Sequence, residues 1–367
     1  MKRVVVVGAG VIGLFCALRL SQRGAQVVLL EGEREDMSVF SPTASLASAG
    51  MLAPVSEAVG PPPERHKHLD QLALASFDLW RKQSKGAPWE DGVRFDGGLI
   101  LAGDEAAAAS FQQSAQAMGA NARPAPRGEW RKRSGFETRA AHALFVEQEG
   151  VADPIGVMSG LVMDARRHGV QVLFGHDVDA VEADGVTVFD HGRFEADVVL
   201  LAPGPWASDQ MARTAPALKH IRPARGHIAP VSLERPLNAN VHGEGFYLAR
   251  RGESDVVLGA TMEFDRYERH VDPAQVAELL AAAARALPGE VRLREGANAW
   301  VGVRPMSPDW APMIGPSGPV LVACGHSRNG WLLAPISAEM ICAHVFGDAL
   351  PPLWAAFTPD RFEANIA

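Results

Sequence analysis

Val4-Val5-Val6-Val7-Gly8-Ala9-Gly10-Val11-Ile12-Gly13 is the stretch on which the reading of this chain turns. Four β-branched residues specify a strand, and the glycines after them specify a turn into a helix. Gly8 permits the tight turn. Gly10 lets backbone N–H groups reach a pyrophosphate at the helix N-terminus, and Gly13 lets the helix lie close on the sheet. The helix reads from Leu14 to Gln22 and ends at Gly24, and Val27-Val28-Leu29-Leu30 forms a second strand that delivers Glu31. A carboxylate there accepts both ribose hydroxyls of a dinucleotide and repels a 2′-phosphate, which favours FAD or NAD over NADP. Lys2-Arg3 before an apolar run also imitates a secretory signal. Three glycines at pyrophosphate spacing, with no small-residue cleavage site, argue instead for the nucleotide unit and for no targeting segment.

The 367 residues are enough for two domains and a large core. A hydrophobic share of 47% and a charged share of 21% are those of a globular protein, and no stretch is long and apolar enough for a bilayer span. The net charge of −8, with no long basic run, speaks against a nucleic-acid partner. Cys16, Cys324 and Cys342 form no CxxC pair and sit among apolar residues, so free buried thiols in a reducing cytoplasm are expected. His66-Lys67-His68 lacks the acidic and cysteine company of a metal site and reads as solvated.

Further along, Ser41 to Pro54 is a small-residue segment with little reason to be helical, suited to backbone passing close to something flat. Gly60-Pro61-Pro62-Pro63 breaks the chain. Lys67 to Lys85 and Asp104 to Met118 read as helices, Val93 to Leu101 as one strand, and Arg123 to Arg133 as a solvated basic loop, with docking of a partner as the rival reading. A second αβ passage runs from the helix Ile155–His168 into the strand Val170–Phe174. Ala196 to Leu201, nearly all apolar, is a strand covered on both faces that ends in Pro203-Gly204-Pro205-Trp206. From Arg222 to Leu258 short alternating strands suggest a mostly antiparallel sheet, followed by a helix from Pro273 to Leu287. The expected fold is α/β: a discontinuous Rossmann-like dinucleotide domain (1–60, 148–215 and 297–367) with an inserted α+β substrate domain (61–147 and 216–296) built on that sheet.

Two C-terminal segments, Gly302-Val303-Arg304-Pro305-Met306-Ser307-Pro308-Asp309 and Gly325-His326-Ser327-Arg328-Asn329-Gly330-Trp331-Leu332-Leu333-Ala334-Pro335, together with Ala49-Gly50-Met51-Leu52-Ala53-Pro54, resemble the D-amino-acid oxidase superfamily of flavoproteins, its glycine oxidase branch above all. The ordered set spans the chain. The resemblance implies FAD as cofactor. Gly8, Gly10 and Gly13, with Val11 and Ile12 between them, would hold the pyrophosphate, and Glu31 the ribose. Thr43, Ser45, Gly50 and Met51 would run along the phosphates and the flavin edge, and Val178 would contact adenine. Gly204 and Trp206 match the family's glycine turn before an aromatic. Arg328, Asn329, Gly330, Trp331 and Leu332 would pass the pyrimidine end of the flavin. Free N–H groups at Asn329, Gly330 and Trp331 would stabilise charge on the reduced ring by roughly 0.3–2 kcal/mol. Pro335 is then expected close to the helix start.

Arg304 sits between an apolar strand and Pro305, which holds it extended, and its guanidinium fork matches a carboxylate. The resemblance makes it the anchor of the substrate carboxylate; a structural ion pair is the rival reading. Tyr247 would place a hydroxyl nearby, or be a plain strand aromatic, and Arg328 would reach the same carboxylate or only the flavin. His326 reads as fixing its loop. The implied reaction is hydride transfer from Cα of a small amino acid (glycine, sarcosine, a D-amino acid or a cyclic imino acid) to flavin N5, giving an imino acid and then a 2-oxo acid. Orientation dominates such a step, and no catalytic carboxylate or histidine stands near the motifs. Oxygen would be the acceptor, or a quinone or carrier protein in a dehydrogenase. A flavin-bearing subunit of a larger complex, a hydroxy-acid substrate and a homo-oligomer are further possibilities. Pro305-Met306 stands where some members of the family attach FAD through a cysteine, so noncovalent FAD is expected.

Overall fold

The computed structural model describes residues 1–58, 65–135, 138–251 and 255–362, so the expected break at Gly60 to Pro63 lies outside the described residues. The strand Arg3–Val7 is covered on both faces: Val4 and Val6 enter one hydrophobic cluster, Val5 and Val7 another. This strand lies inside a six-stranded sheet in the order Met313–Ser317, Val320–Cys324, Val198–Leu201, Arg3–Val7, Gln26–Glu31, Gln171–Phe174. All neighbours are parallel except the first pair. The helices Val11–Gln22, Leu69–Gln83, Pro154–Arg167 and Gly330–Phe346 contribute to the cluster on one face. A small antiparallel sheet (Val178–Glu182, Gly185–Val188, Gly192–Glu195) contributes to the other.

A second sheet has ten strands among the described residues, organised on the twelve-residue strand Arg222–Leu233. One half of this strand pairs with Trp300–Met306, setting Ala224 opposite Arg304 and Gly226 opposite Gly302; the other half pairs with Asp255–Gly259. The sheet is mixed. Asn240–Gly243 runs parallel to Gly98–Ala102 while its other pairs are antiparallel, which corrects the expectation of a mostly antiparallel sheet. The parallel pair joins a strand from before the second αβ passage to one from after it, a pairing that no local pattern encodes.

Other expectations are corrected by packing. Val93 to Leu101 is two strands, Val93–Arg94 and Gly98–Ala102: Gly97 takes φ +82°, and the Phe145 ring lies 2.4 Å from where a Cβ would stand. A short helix, Ala44–Ala47, interrupts the segment read as non-helical. The basic stretch contains the helix Arg127–Ser134. Arg123 and Arg133 share Glu129 at 2.6 and 3.0 Å and lie over the Phe145 ring, and these arginines, Arg123 foremost, hold the Glu129 carboxyl down at about 2. His66, expected in solvent, packs on Phe357 with ring centroids 4.6 Å apart.

Pro335 is not near the helix start but is the sixth residue of Gly330–Phe346. It cannot donate to the Trp331 carbonyl. The Trp80 indole does so instead, with Nε1 2.9 Å from Trp331 O and 3.1 Å from Leu332 O. The Ser76 hydroxyl donates to Leu332 O at 2.6 Å and accepts from Ile336 N at 3.4 Å, inserting itself into the helix ladder. Helix Leu69–Gln83 therefore repairs the backbone that Pro335 opens. Replacing Ser76 by alanine takes the hydroxyl acceptor from Ile336 N and leaves the Leu332 carbonyl with the Trp80 donor alone, and it is expected to lower stability by about 1–3 kcal/mol, read as a lower urea midpoint at unchanged slope.

Candidate functional site

The glycine turn is fixed by contact distances. Gly8 has φ +103°, and a Cβ on it would stand 2.4 Å from Ala202 O; a Cβ on Gly13 would stand 1.9 Å from Gly8 O. Gly13 thus lies under the turn, while Gly8, Gly10, Val11 and Ile12 face a cavity of about 470 Å³. Glu31 and Val178 also line it. The Glu31 carboxylate accepts from Ala9 N at 2.8 Å and from Glu33 N at 3.1 Å, tying the turn to the end of the second strand. Thr43 and Ser45 line the same cavity, and Ser45 Oγ accepts from Val11 N at 3.0 Å. Gly204 and Trp206 close another side, the indole donating to Pro42 O at 3.2 Å and stacking on Tyr267. His176 and Asp177, not singled out from the sequence, line it as well, and so does Cys324, expected there only as a buried thiol. The Cys324 thiol lies 3.3 Å from Gly204 O, and burial pushes it up to about 12.

A second cavity of about 500 Å³ shares Ala44, Ser48, Arg304, Arg328 and Trp331 with the first, so the two meet at those residues. Gly50, Met51, Tyr247 and Asn329 line this second space. Leu332 lines neither: its side chain is in the core and its carbonyl accepts from Ser76. Asn329 N–H is not free either, since it donates to His326 O at 2.8 Å. Gly330 and Trp331 keep their N–H groups without a partner among the described residues.

Arg304 lies over Gly226, where a Cβ would come within 2.3 Å of its Nη1, and Tyr247 lies over Gly259, where a Cβ would come within 2.4 Å of its hydroxyl. Both side chains therefore occupy room that a larger residue would fill. Arg304 Nη1 donates to Thr261 O at 3.3 Å, and no carboxylate is within ion-pair distance among the described residues. Its guanidinium still meets the cavity although protein encloses it, and that enclosure lowers its pKa. Burial pushes the Tyr247 hydroxyl up to about 12, so it is a donor at neutral pH. Arg328, by contrast, is paired with Glu57 at 2.7 Å.

Four groups unforeseen from the sequence stand beside these. Ser56, Glu57 and His242 line the second cavity, and Glu149 lies fully buried behind Ser56. Carboxylates and a histidine do flank the site, contrary to the sequence reading, because strand Asn240–Gly243 and the turn after Pro54 are brought together only by tertiary pairing. His326 does fix its loop: Nε2 lies 2.8 Å from Ser337 Oγ, whose proton goes to Leu333 O at 2.7 Å, so Nε2 carries the hydrogen. Burial lowers its pKa to about 3.

A profile of the FAD dependent oxidoreductase family, DAO, matches residues 3–344. The bifunctional protein ThiO/ThiG of a Synechocystis species is 30% identical over 373 residues, covering 98% of this chain and 54% of that protein. The chain thus spans about half the length of the first curated relatives it matches. Glycine oxidase of Bacillus licheniformis is 26% identical, covering 98% of this chain and 97% of that one. The crystal structure of glycine oxidase from Geobacillus kaustophilus superposes with a TM-score of 0.82 at 25% identity, covering 98% and 99% of the two chains.

FAD is the cofactor of this family, and the first cavity fits it. Gly8 and Gly10 leave backbone exposed where a phosphate would lie, Gly330 and Trp331 offer donors, and Glu31 offers the acceptor for a ribose. Replacing Glu31 by alanine releases two backbone donors as well as the ribose acceptor. FAD titrated into the apoprotein, followed by flavin fluorescence, is then expected to bind about 10- to 150-fold more weakly, or ~1.5–3 kcal/mol.

Proposed function

We propose that this chain, which belongs to the FAD-dependent oxidoreductase family DAO, oxidises a small amino or imino acid of the glycine, sarcosine or D-amino acid type at its Cα–N bond. The observation that carries this reading is Arg304: a cation in the cavity wall, without an acid partner among the described residues, where the second cavity meets the first. Buried cations are ordinarily paired. A substrate carboxylate supplies the missing charge, in two parallel hydrogen bonds.

In this reading residues 1–60, 148–215 and 297–367 hold FAD and residues 61–147 and 216–296 shape the substrate side. Arg304 fixes the carboxylate, Tyr247 donates its hydroxyl to it, and the small residues Ala47 to Gly50 leave room for a flat ring beside Cα. Bound FAD supplies the acceptor for the hydride that leaves Cα. The protein's share of the rate is orientation of the Cα–H bond by a two-point anchor. The imino product hydrolyses in water to a 2-oxo acid and ammonia or an amine. Peroxide formed under air identifies oxygen as the final acceptor; dye reduction without peroxide identifies a carrier or quinone.

Replacing Arg304 by alanine is expected to lower kcat/KM on the best amino acid by about 2–4 kcal/mol, about 30- to 1,000-fold. Kinetics unchanged by it would remove the anchor and the substrate class with it. Noncovalent FAD is also part of this reading, because Pro305-Met306 offers no thiol and Cys324 is held as a buried, protonated thiol. Acid precipitation of the holoenzyme should leave the yellow colour in the supernatant; colour in the pellet would show a covalent link.

A further inference from the structure

Glu149 is fully buried, and no arginine or lysine reaches it among the described residues. Its Oε1 accepts from Ser56 N at 2.8 Å and Val55 N at 3.3 Å, and its Oε2 accepts from Ser56 Oγ at 3.0 Å. Ser56 Oγ lies 3.3 Å from His242 Nε2, which is itself 3.6 Å from Glu149 Oε2. The other ring nitrogen, Nδ1 of His242, has no partner among the described residues, and the imidazole lines the second cavity with Ser56. A buried acid, a hydroxyl and an imidazole thus form an unbroken chain from the interior to the cavity wall. The hydroxyl can point either way along it.

The proposed reaction creates a need that such a chain answers. An amino acid arrives as an ammonium ion, and hydride cannot leave Cα until the nitrogen has a lone pair to form the imine. We infer that His242, Ser56 and Glu149 are the proton-accepting chain that deprotonates the substrate ammonium, with His242 at the cavity and Glu149 as the terminal acceptor acting through it. One N–H bond of the substrate breaks and its proton joins His242 Nδ1. The Nε2 proton passes to Ser56 Oγ, and the Ser56 proton passes to Glu149, where one O–H bond forms. No electron moves, and the neutral amine remains.

The surroundings set the direction. Burial, with a contribution from the charge of Glu57, raises the Glu149 carboxyl to about 8, so it takes the proton readily once ionised. Burial lowers His242 to about 4, so the imidazole rests neutral and transmits the proton rather than storing it. The charged and titratable groups facing the pair are Glu57 from the same turn, Arg328 from the loop before the final helix, and Tyr247 across from His242 on the neighbouring strand. Because Glu149 accepts only when ionised, the competent form grows as pH rises through about 8.

This inference rests on the amine-oxidation reading. The test is anaerobic stopped-flow reduction of the holoenzyme by its best amino acid, from about pH 6 to about pH 10. Wild type should gain rate with a limb near the Glu149 ionisation. Glu149→Gln, which keeps an acceptor for the Ser56 and Val55 N–H groups, should move that limb up to the ionisation of the free substrate's own ammonium and slow reduction at neutral pH by tenfold or more. Ser56→Ala should do the same by breaking the bridge, and it decides the matter if Glu149→Gln fails to fold with FAD. A limb unmoved in a variant with full FAD content overturns the chain. A second readout needs no turnover: the infrared carbonyl band of a protonated carboxyl, titrating near the same pH in wild type and absent from Glu149→Gln. Absence of that band from wild type overturns the chain as well. If no amino or imino acid bleaches the flavin, the reading of the reaction fails first; if substrates bleach it and the limb stays, the chain alone fails.

Discussion

The structure depends on one close approach, in which the helix Val11–Gln22 lies so near the first strand that a Cβ on Gly13 would stand 1.9 Å from Gly8 O. A strand and a helix can come that close only where the side chain is a hydrogen. The helix N-terminus then points its N–H groups into the cavity at the carboxyl ends of the parallel strands, where such sheets bind ligands. The second sheet reaches this place through one of its strands. The strand Arg222–Leu233 carries Trp300–Met306 along its edge, and that edge brings Arg304 to the junction of the two cavities.

The charges around the second cavity are distributed unequally. Arg328 is answered by Glu57, whereas Arg304 meets only a carbonyl. Glu149 is answered by hydrogen-bond donors and not by a cation. In the proposed reading the substrate carboxylate answers Arg304, and the substrate nitrogen meets His242, behind which Glu149 lies buried. The small residues on the floor, Ala47 to Gly50, contribute shape rather than charge.

How much was legible follows from what each residue's role depends on. The turn Gly8 to Gly13, Glu31 and the covered strands are local: steric rules and burial on both faces can be read from neighbouring residues. Thirteen of the expected cofactor residues line the first cavity, among them Ser45 and Val178, for which no local rule would have sufficed and which came from family resemblance. Leu332 lines neither cavity because its helix turns its side chain into the core. Asn329 was misjudged because its N–H finds the His326 carbonyl three residues back. Pro335 was misplaced because a partner helix, which no window around Pro335 contains, supplies Ser76 and Trp80 to mend the break.

The sequence by itself determined a parallel strand, a glycine turn and an acid in the arrangement of a dinucleotide unit, because each of those demands is met within about thirty residues by backbone sterics and periodicity. It also determined that Arg304 is held extended beside Pro305. Only the tertiary structure decided what surrounds that arginine. The parallel pairing of Asn240–Gly243 with Gly98–Ala102 makes the large sheet mixed and sets His242 beside Ser56 and Glu149. Those three residues lie up to 186 positions apart, and their chemistry comes from burial and mutual distance, which exist only once the chain has folded.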